Sequence, residues 1–169
     1  MTGQTFDALT NHHSLYTQPP RAKGLPHAAA VLAYAGALPL IIAALLVVLR
    51  KEDFGPLALS FMALYGGALI AFFGGVRWGV AVMRPDGPTF RHLLGGVVPL
   101  LIAMPIFVLD DMRARFALIV IALPILLIDD LRATRRGSGA PDWYLGVRTP
   151  LTILMEFSFL FALAAIVAT

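Results

Sequence analysis

Five stretches of this chain, at about residues 27–49, 56–83, 93–109, 116–131 and 149–167, are apolar over nearly the length a helix needs to cross a lipid bilayer. A hydrocarbon core about 30 Å thick takes roughly 20 residues at 1.5 Å each. This constrains the fold more than anything else in the chain. Backbone N–H and C=O groups in hydrocarbon must be satisfied internally, and for segments of this length that means helices. The expected fold class is all-α, a polytopic transmembrane helix bundle of about five helices. Composition agrees, with 59% of the residues hydrophobic and 14% charged, against about 45–50% apolar and about 25% charged in a soluble domain. The glycines and prolines inside the runs would weaken a soluble helix, but membrane helices accept them where neighbours recover the freed backbone groups.

The segments between the runs read as short turns. Arg50-Lys51-Glu52-Asp53 closes the first run and Arg84-Pro85-Asp86-Gly87-Pro88 the second. The third is short and interrupted by Pro99 and Pro105, and the fourth holds Pro124 and ends in Asp129-Asp130. Two regions are expected, a flexible polar N-terminal tail over 1–26 and a five-helix transmembrane domain over 27–169. The tail lacks the apolar core of a signal peptide, and with Arg21, Lys23 and Asp7 it makes a poor mitochondrial presequence.

Arginine and lysine placement sets the expected topology. With the N-terminus inside, Arg21, Lys23, Arg84, Arg91, Arg132, Arg135, Arg136 and Arg148 share one side, and Arg50, Lys51, Arg113 and Arg115 the other. The positive-inside rule then predicts a cytoplasmic N-terminus and an external C-terminus, as in an inner-membrane protein. The high pI of about 9.7 is explained by these dispersed loop bases, and a nucleic-acid partner is not expected.

Ionisable residues inside the runs are the candidates for function, because a charge in hydrocarbon costs a few kcal/mol and must be paired, neutralised or wet. Arg77 lies roughly 9 Å above the inner end of the second run and Glu156 roughly 10 Å into the fifth, counted at 1.5 Å per residue. Shared depth predicts an intramembrane polar cluster of Arg77, Glu156 and Asp129, with Asp130 at its interfacial edge. Such a cluster serves either as a salt bridge fixing helix register or as a polar pocket for a proton, a lipid headgroup or a small ligand. Gly67, Ala71, Gly75 and Gly79 recur every four residues and predict a small-residue packing stripe.

Other chemistries find little support. With no cysteine there is no thiol nucleophile or disulfide framework. His12, His13, His27 and His92 do not fall at metal-ligand spacing, so no metal and no cofactor is expected. Ser60 and Ser158 lack a nucleophile-elbow motif. The glycine-rich segment has no preceding strand and no Gly-Lys-Ser/Thr ending, so it is not a nucleotide loop.

Two motifs carry a resemblance. Gly74-Gly75-Val76-Arg77-Trp78-Gly79, and Asp142-Trp143-Tyr144 followed by Arg148-Thr149-Pro150-Leu151-Thr152, are similar to those of the bacterial membrane family catalogued as domain of unknown function 3429, which has relatives among small mitochondrial transmembrane proteins. The resemblance covers nearly everything after the tail. It implies a membrane protein of about five helices and supplies no activity. It also implies that Trp78, Asp142, Trp143, Tyr144 and Arg148 form a surface at the cytoplasmic interface, together with Arg77. The function expected from these features is that of a non-enzymatic accessory or assembly subunit of a larger energy-transducing membrane complex, with the lipid bilayer and a membrane protein as partners. The alternatives are a small proton-linked transporter or channel using the Arg/Glu/Asp cluster, and a lipid- or quinone-handling membrane enzyme.

Overall fold

The computed structural model describes residues 24–49 and 54–168. Residues 1–23 of the N-terminal tail, the Arg50-Lys51-Glu52-Asp53 segment and Thr169 lie outside the described residues. Within them the chain is all-helical: α1 His27–Val48, α2 Gly55–Val82, α3 Phe90–Val108, α4 Met112–Arg135 and α5 Tyr144–Val167.

The helix starts have local causes. Pro56 occupies the first turn of α2, where its missing N–H has no intrahelical role. Thr89 caps α3 by accepting from the His92 N–H, and Asp111 caps α4 by accepting from the Arg113 N–H at 3.0 Å. After α2, the Gly87 N–H closes a turn onto the Arg84 carbonyl at 3.0 Å, and Gly87 takes a φ of 76°, a left-handed conformation that glycine adopts without a Cβ clash. The last three helices begin earlier than their apolar runs; α3 and α4 do so through capped polar first turns, whereas α5 starts after Trp143 with no side-chain cap.

Short connections make successive helices antiparallel neighbours. α2 is the hub and packs against α1, α3 and α4; α5 packs against α1 and α4, and α3 against α4. Leu40, Met62, Ile70, Ile106, Ile119, Leu123, Met155 and Phe159 fill the interior. Phe116 and Phe159 meet edge to face at 5.7 Å between centroids, an orientation aromatic quadrupoles favour. Leu32, Ile42, Phe72, Leu101, Ile125 and Phe161 point outward, as expected of side chains solvated by lipid rather than water.

Four helices, α1, α2, α3 and α5, are long and apolar enough to cross a membrane. α4 differs. Its apolar run over 116–128 spans only about 20 Å at 1.5 Å per residue, with Arg113 and Arg115 before it and Asp129, Asp130, Arg132 and Arg135 after it. Both charged ends are tied down by other helices. Arg115 donates from Nε to the Ile106 carbonyl at 2.6 Å and from Nη2 to the Phe107 carbonyl at 3.0 Å, satisfying C-terminal carbonyls of α3. The opposite end of α4 builds the polar site.

Candidate functional site

Asp130 is the centre of the polar cluster. One oxygen accepts from Arg77 Nε at 2.7 Å and the other from Arg148 Nε at 3.1 Å, so one carboxylate joins α2, α4 and α5. The Asp130 side chain is only 6% exposed and that of Arg148 only 2%. Charges this deep are tolerated when paired and hydrogen-bonded. Arg77 also reaches Asp129 at 3.0 Å and donates from Nη2 to the Leu126 carbonyl at 2.7 Å. Its remaining contact, from Nη1 to the Gly95 carbonyl at 3.5 Å, has a sequence cause. Pro99 has no N–H to offer the residue four positions earlier, so that carbonyl is free to accept.

The same local rules hold Arg148 in place. Thr152, one turn on, receives a hydrogen bond from Arg148 Nη1 and donates to the Arg148 carbonyl at 2.8 Å. The Arg148 guanidinium lies 3.4 Å from the centroid of the Phe73 ring, a cation–π contact that favours arginine in a desolvated site. Phe73 is itself one turn from Arg77 on α2.

Glycines set the helix spacing here. A Cβ on Gly74 would come within 2.5 Å of the Gly96 carbonyl oxygen, and one on Gly96 within 3.0 Å of the Trp78 backbone nitrogen. The backbones of α2 and α3 therefore touch at Gly74 and Gly96, which brings Gly95 within range of Arg77. The expected stripe of Gly67, Ala71, Gly75 and Gly79 is corrected by this geometry. Gly67 does pack tightly, against the Phe107 ring, but Ala71 is only half-buried and Cβ atoms on Gly75 and Gly79 would meet nothing within 4 Å. The close-packed glycines of α2 are Gly66, Gly67 and Gly74.

Above the ion cluster, at the end of the bundle where α2 and α4 finish and α3 and α5 begin, lies a cavity of about 360 Å³. Arg77, Asp129 and Asp130 line it together with Arg84, Arg91, His92, Arg136, Ser138 and Tyr144. Arg84 donates to the Ser138 carbonyl at 3.1 Å and helps hold the α4–α5 connection over the site.

The structure brings Arg77, Asp129 and Asp130 together. Three placements need correction. Glu156 is not a partner of Arg77; its Oε2 is hidden with no hydrogen-bond partner among the described residues. α5 starts at Tyr144, so Glu156 sits about 18 Å along that helix at 1.5 Å per residue, and the α5 residue level with Arg77 is Arg148. Arg148, expected on the interfacial surface, is instead buried, and Asp130, expected at the edge, is buried at the centre. The expected surface also divides. Tyr144 lines the cavity, Trp78 is 43% exposed with its backbone against α3, and Asp142 is exposed on the α4–α5 connection. Trp143 is half-buried beside Tyr144. Arg84, Arg91 and Arg136 escape sequence reasoning because loop arginines look like ordinary positive-inside residues. Tyr144, Arg148 and Thr152 at successive steps of four are the signal that α5 presents one polar face.

Residues 25–164 match the family described as Protein of unknown function (DUF3429). The chain belongs to this family. It is also similar to two vertebrate proteins named Transmembrane protein 69. The Xenopus tropicalis protein is 31% identical over 138 residues, covering 80% of this chain and 53% of that protein. The Mus musculus protein is 28% identical over 142 residues, covering 82% and 56% respectively. The chain spans about half the length of these curated relatives. No solved structure matches it. The family match, the relatives' names and the apolar helices identify a multi-pass membrane protein.

Proposed function

We propose that this DUF3429-family protein is a non-catalytic accessory or assembly subunit of a larger complex in an energy-transducing membrane, the bacterial cytoplasmic (inner) membrane. The observation that carries this reading is how the ion cluster is used. Both oxygens of the buried Asp130 are taken by guanidinium groups on two other helices, and guanidinium groups do not give up protons in proteins. Asp130 therefore braces α2, α4 and α5 and is held away from acid–base chemistry. A rigid bundle with short connections suits a protein that works by packing against others. The test is extraction from the native membrane into native nanodiscs, sizing, and mass spectrometry of what comigrates. Stoichiometric comigration with a membrane assembly is expected; migration as a lone protomer overturns the reading.

One observation favours a second reading, proton-linked transport. Glu156 lies deep in α5 without a cationic partner among the described residues, as an intramembrane proton carrier would. Under that reading Glu156→Gln abolishes a transport phenotype, whereas under the accessory reading it leaves comigration and growth unchanged.

A further inference from the structure

The cavity above the ion cluster carries more positive charge than its own carboxylates match. Arg77 and Arg148 already engage Asp129 and Asp130, and Arg84 is used on a loop carbonyl. The guanidinium groups of Arg91 and Arg136, both on the lining, have no hydrogen bond or ion pair to any described residue.

A second observation does not depend on that charge count. The Tyr144 hydroxyl, on a lining residue, is hidden from solvent with no acceptor among the described residues, and Nη2 of Arg148, one turn further along α5, is hidden beside it. Buried polar groups in folded proteins are nearly always paired. Arg148 can give its N–H to the phenol oxygen, but the Tyr144 O–H still has to be given, so the wall calls for an acceptor.

We propose that this cavity is a phosphate-binding site, in which Arg84, Arg91 and Arg136 engage the anion and Tyr144 donates to it. Guanidinium groups suit phosphate because their planar forks give paired charge-assisted hydrogen bonds. Two helices begin at this rim and two end there, so their dipoles largely offset one another and the side chains carry the recognition. A volume of about 360 Å³ lies within the roughly 300–1,000 Å³ of small-molecule sites. It accommodates a phosphate ester: a phospholipid headgroup entering at the bundle end, or a soluble phosphorylated compound. The site is independent of the accessory role, and its test does not depend on any copurifying complex.

The protein is placed in phosphatidylcholine nanodiscs, with phosphatidic acid added in one arm and inorganic phosphate titrated in the other. Native mass spectrometry and phosphorus NMR read retention. The Arg91→Ala/Arg136→Ala variant is compared with Arg132→Ala/Arg135→Ala, which removes the same charge from the same end of the bundle at positions that do not line the cavity. Wild-type protein is expected to retain a phosphate species. The cavity variant weakens retention at least about tenfold, since hydrogen bonds to charged groups carry that much, whereas the control variant stays within about twofold. Tyr144→Phe weakens it without changing the thermal midpoint, which separates a lost contact from a lost fold. Retention of phosphatidic acid with no response to inorganic phosphate assigns a lipid headgroup; a response to inorganic phosphate assigns a soluble phosphate ester. No retention in either arm, or equal losses in the cavity and control variants, overturns the proposal.

Discussion

At the residue scale, three carboxylates that look alike in the sequence have different surroundings. Asp130 bridges two arginines from inside the bundle, Asp129 meets Arg77 with its side chain 61% exposed, and Glu156 has a hidden oxygen with no partner among the described residues. Asp130→Asn leaves Arg148 buried without its counter-charge and is expected to cost about 3–5 kcal/mol, the cost of breaking a buried pair from one side. Asp129→Asn is expected to cost under about 1 kcal/mol, as exposed pairs do. Glu156→Gln removes an ionisable group with no cationic partner among the described residues and is expected to lose no stability. Unfolding of the three variants in a common detergent or bicelle system checks this order. A loss for Glu156→Gln equal to that for Asp130→Asn would restore the Arg77–Glu156 pairing that hydropathy and depth alone predict.

At the element scale, the α2–α3 contact rests on one crossing point. Gly74→Ala drives a Cβ into the Gly96 carbonyl, a backbone atom that cannot swing aside as a side-chain tip can. Overpacking of this kind costs about 1–3 kcal/mol. Gly75→Ala enters open space and is expected to be neutral or to stabilise by up to about 1 kcal/mol, through the lower helix propensity of glycine. Thermal unfolding of the pair tests the contrast. The same geometry shows what is legible in the sequence. That α2 carries a glycine face is plain from Tyr65-Gly66-Gly67 and Phe73-Gly74-Gly75. Which glycines form it is not, because a step of four residues drifts about 40° round the helix, whereas the step of seven from Gly67 to Gly74 drifts only about 20° the other way. The helices themselves were readable from hydropathy, and so was the polar end of α4. Arg148 was not, since its depth depends on where α5 begins, and that start lies in the polar Trp143-Tyr144 segment rather than at the first apolar residue.

At the scale of the whole molecule, α4 decides how the protein sits in the membrane. Four helices have the length and hydropathy of spans; if α4 also crosses, the chain makes five passes and its termini lie on opposite sides. The ties at both of its ends favour a full crossing. Arg115 is held by the last carbonyls of α3 at one end of the bundle, and Asp130 by Arg77 and Arg148 at the other. A helix with a short apolar run can cross by thinning the bilayer or tucking its flanking charges inward, and here the charges are tucked into protein. The α3–α4 connection with Asp110 and the α4–α5 connection with Ser138 should then face opposite compartments, with the arginine-rich α4–α5 side cytoplasmic by the positive-inside rule. Because the chain has no cysteine, Asp110→Cys and Ser138→Cys each introduce a unique thiol on an unaltered background. In intact cells a membrane-impermeant maleimide is expected to label Asp110→Cys and to reach Ser138→Cys only after lysis. Labelling of both in intact cells would mean that α4 does not cross, and the cavity would then open to the opposite compartment from the one its arginines predict.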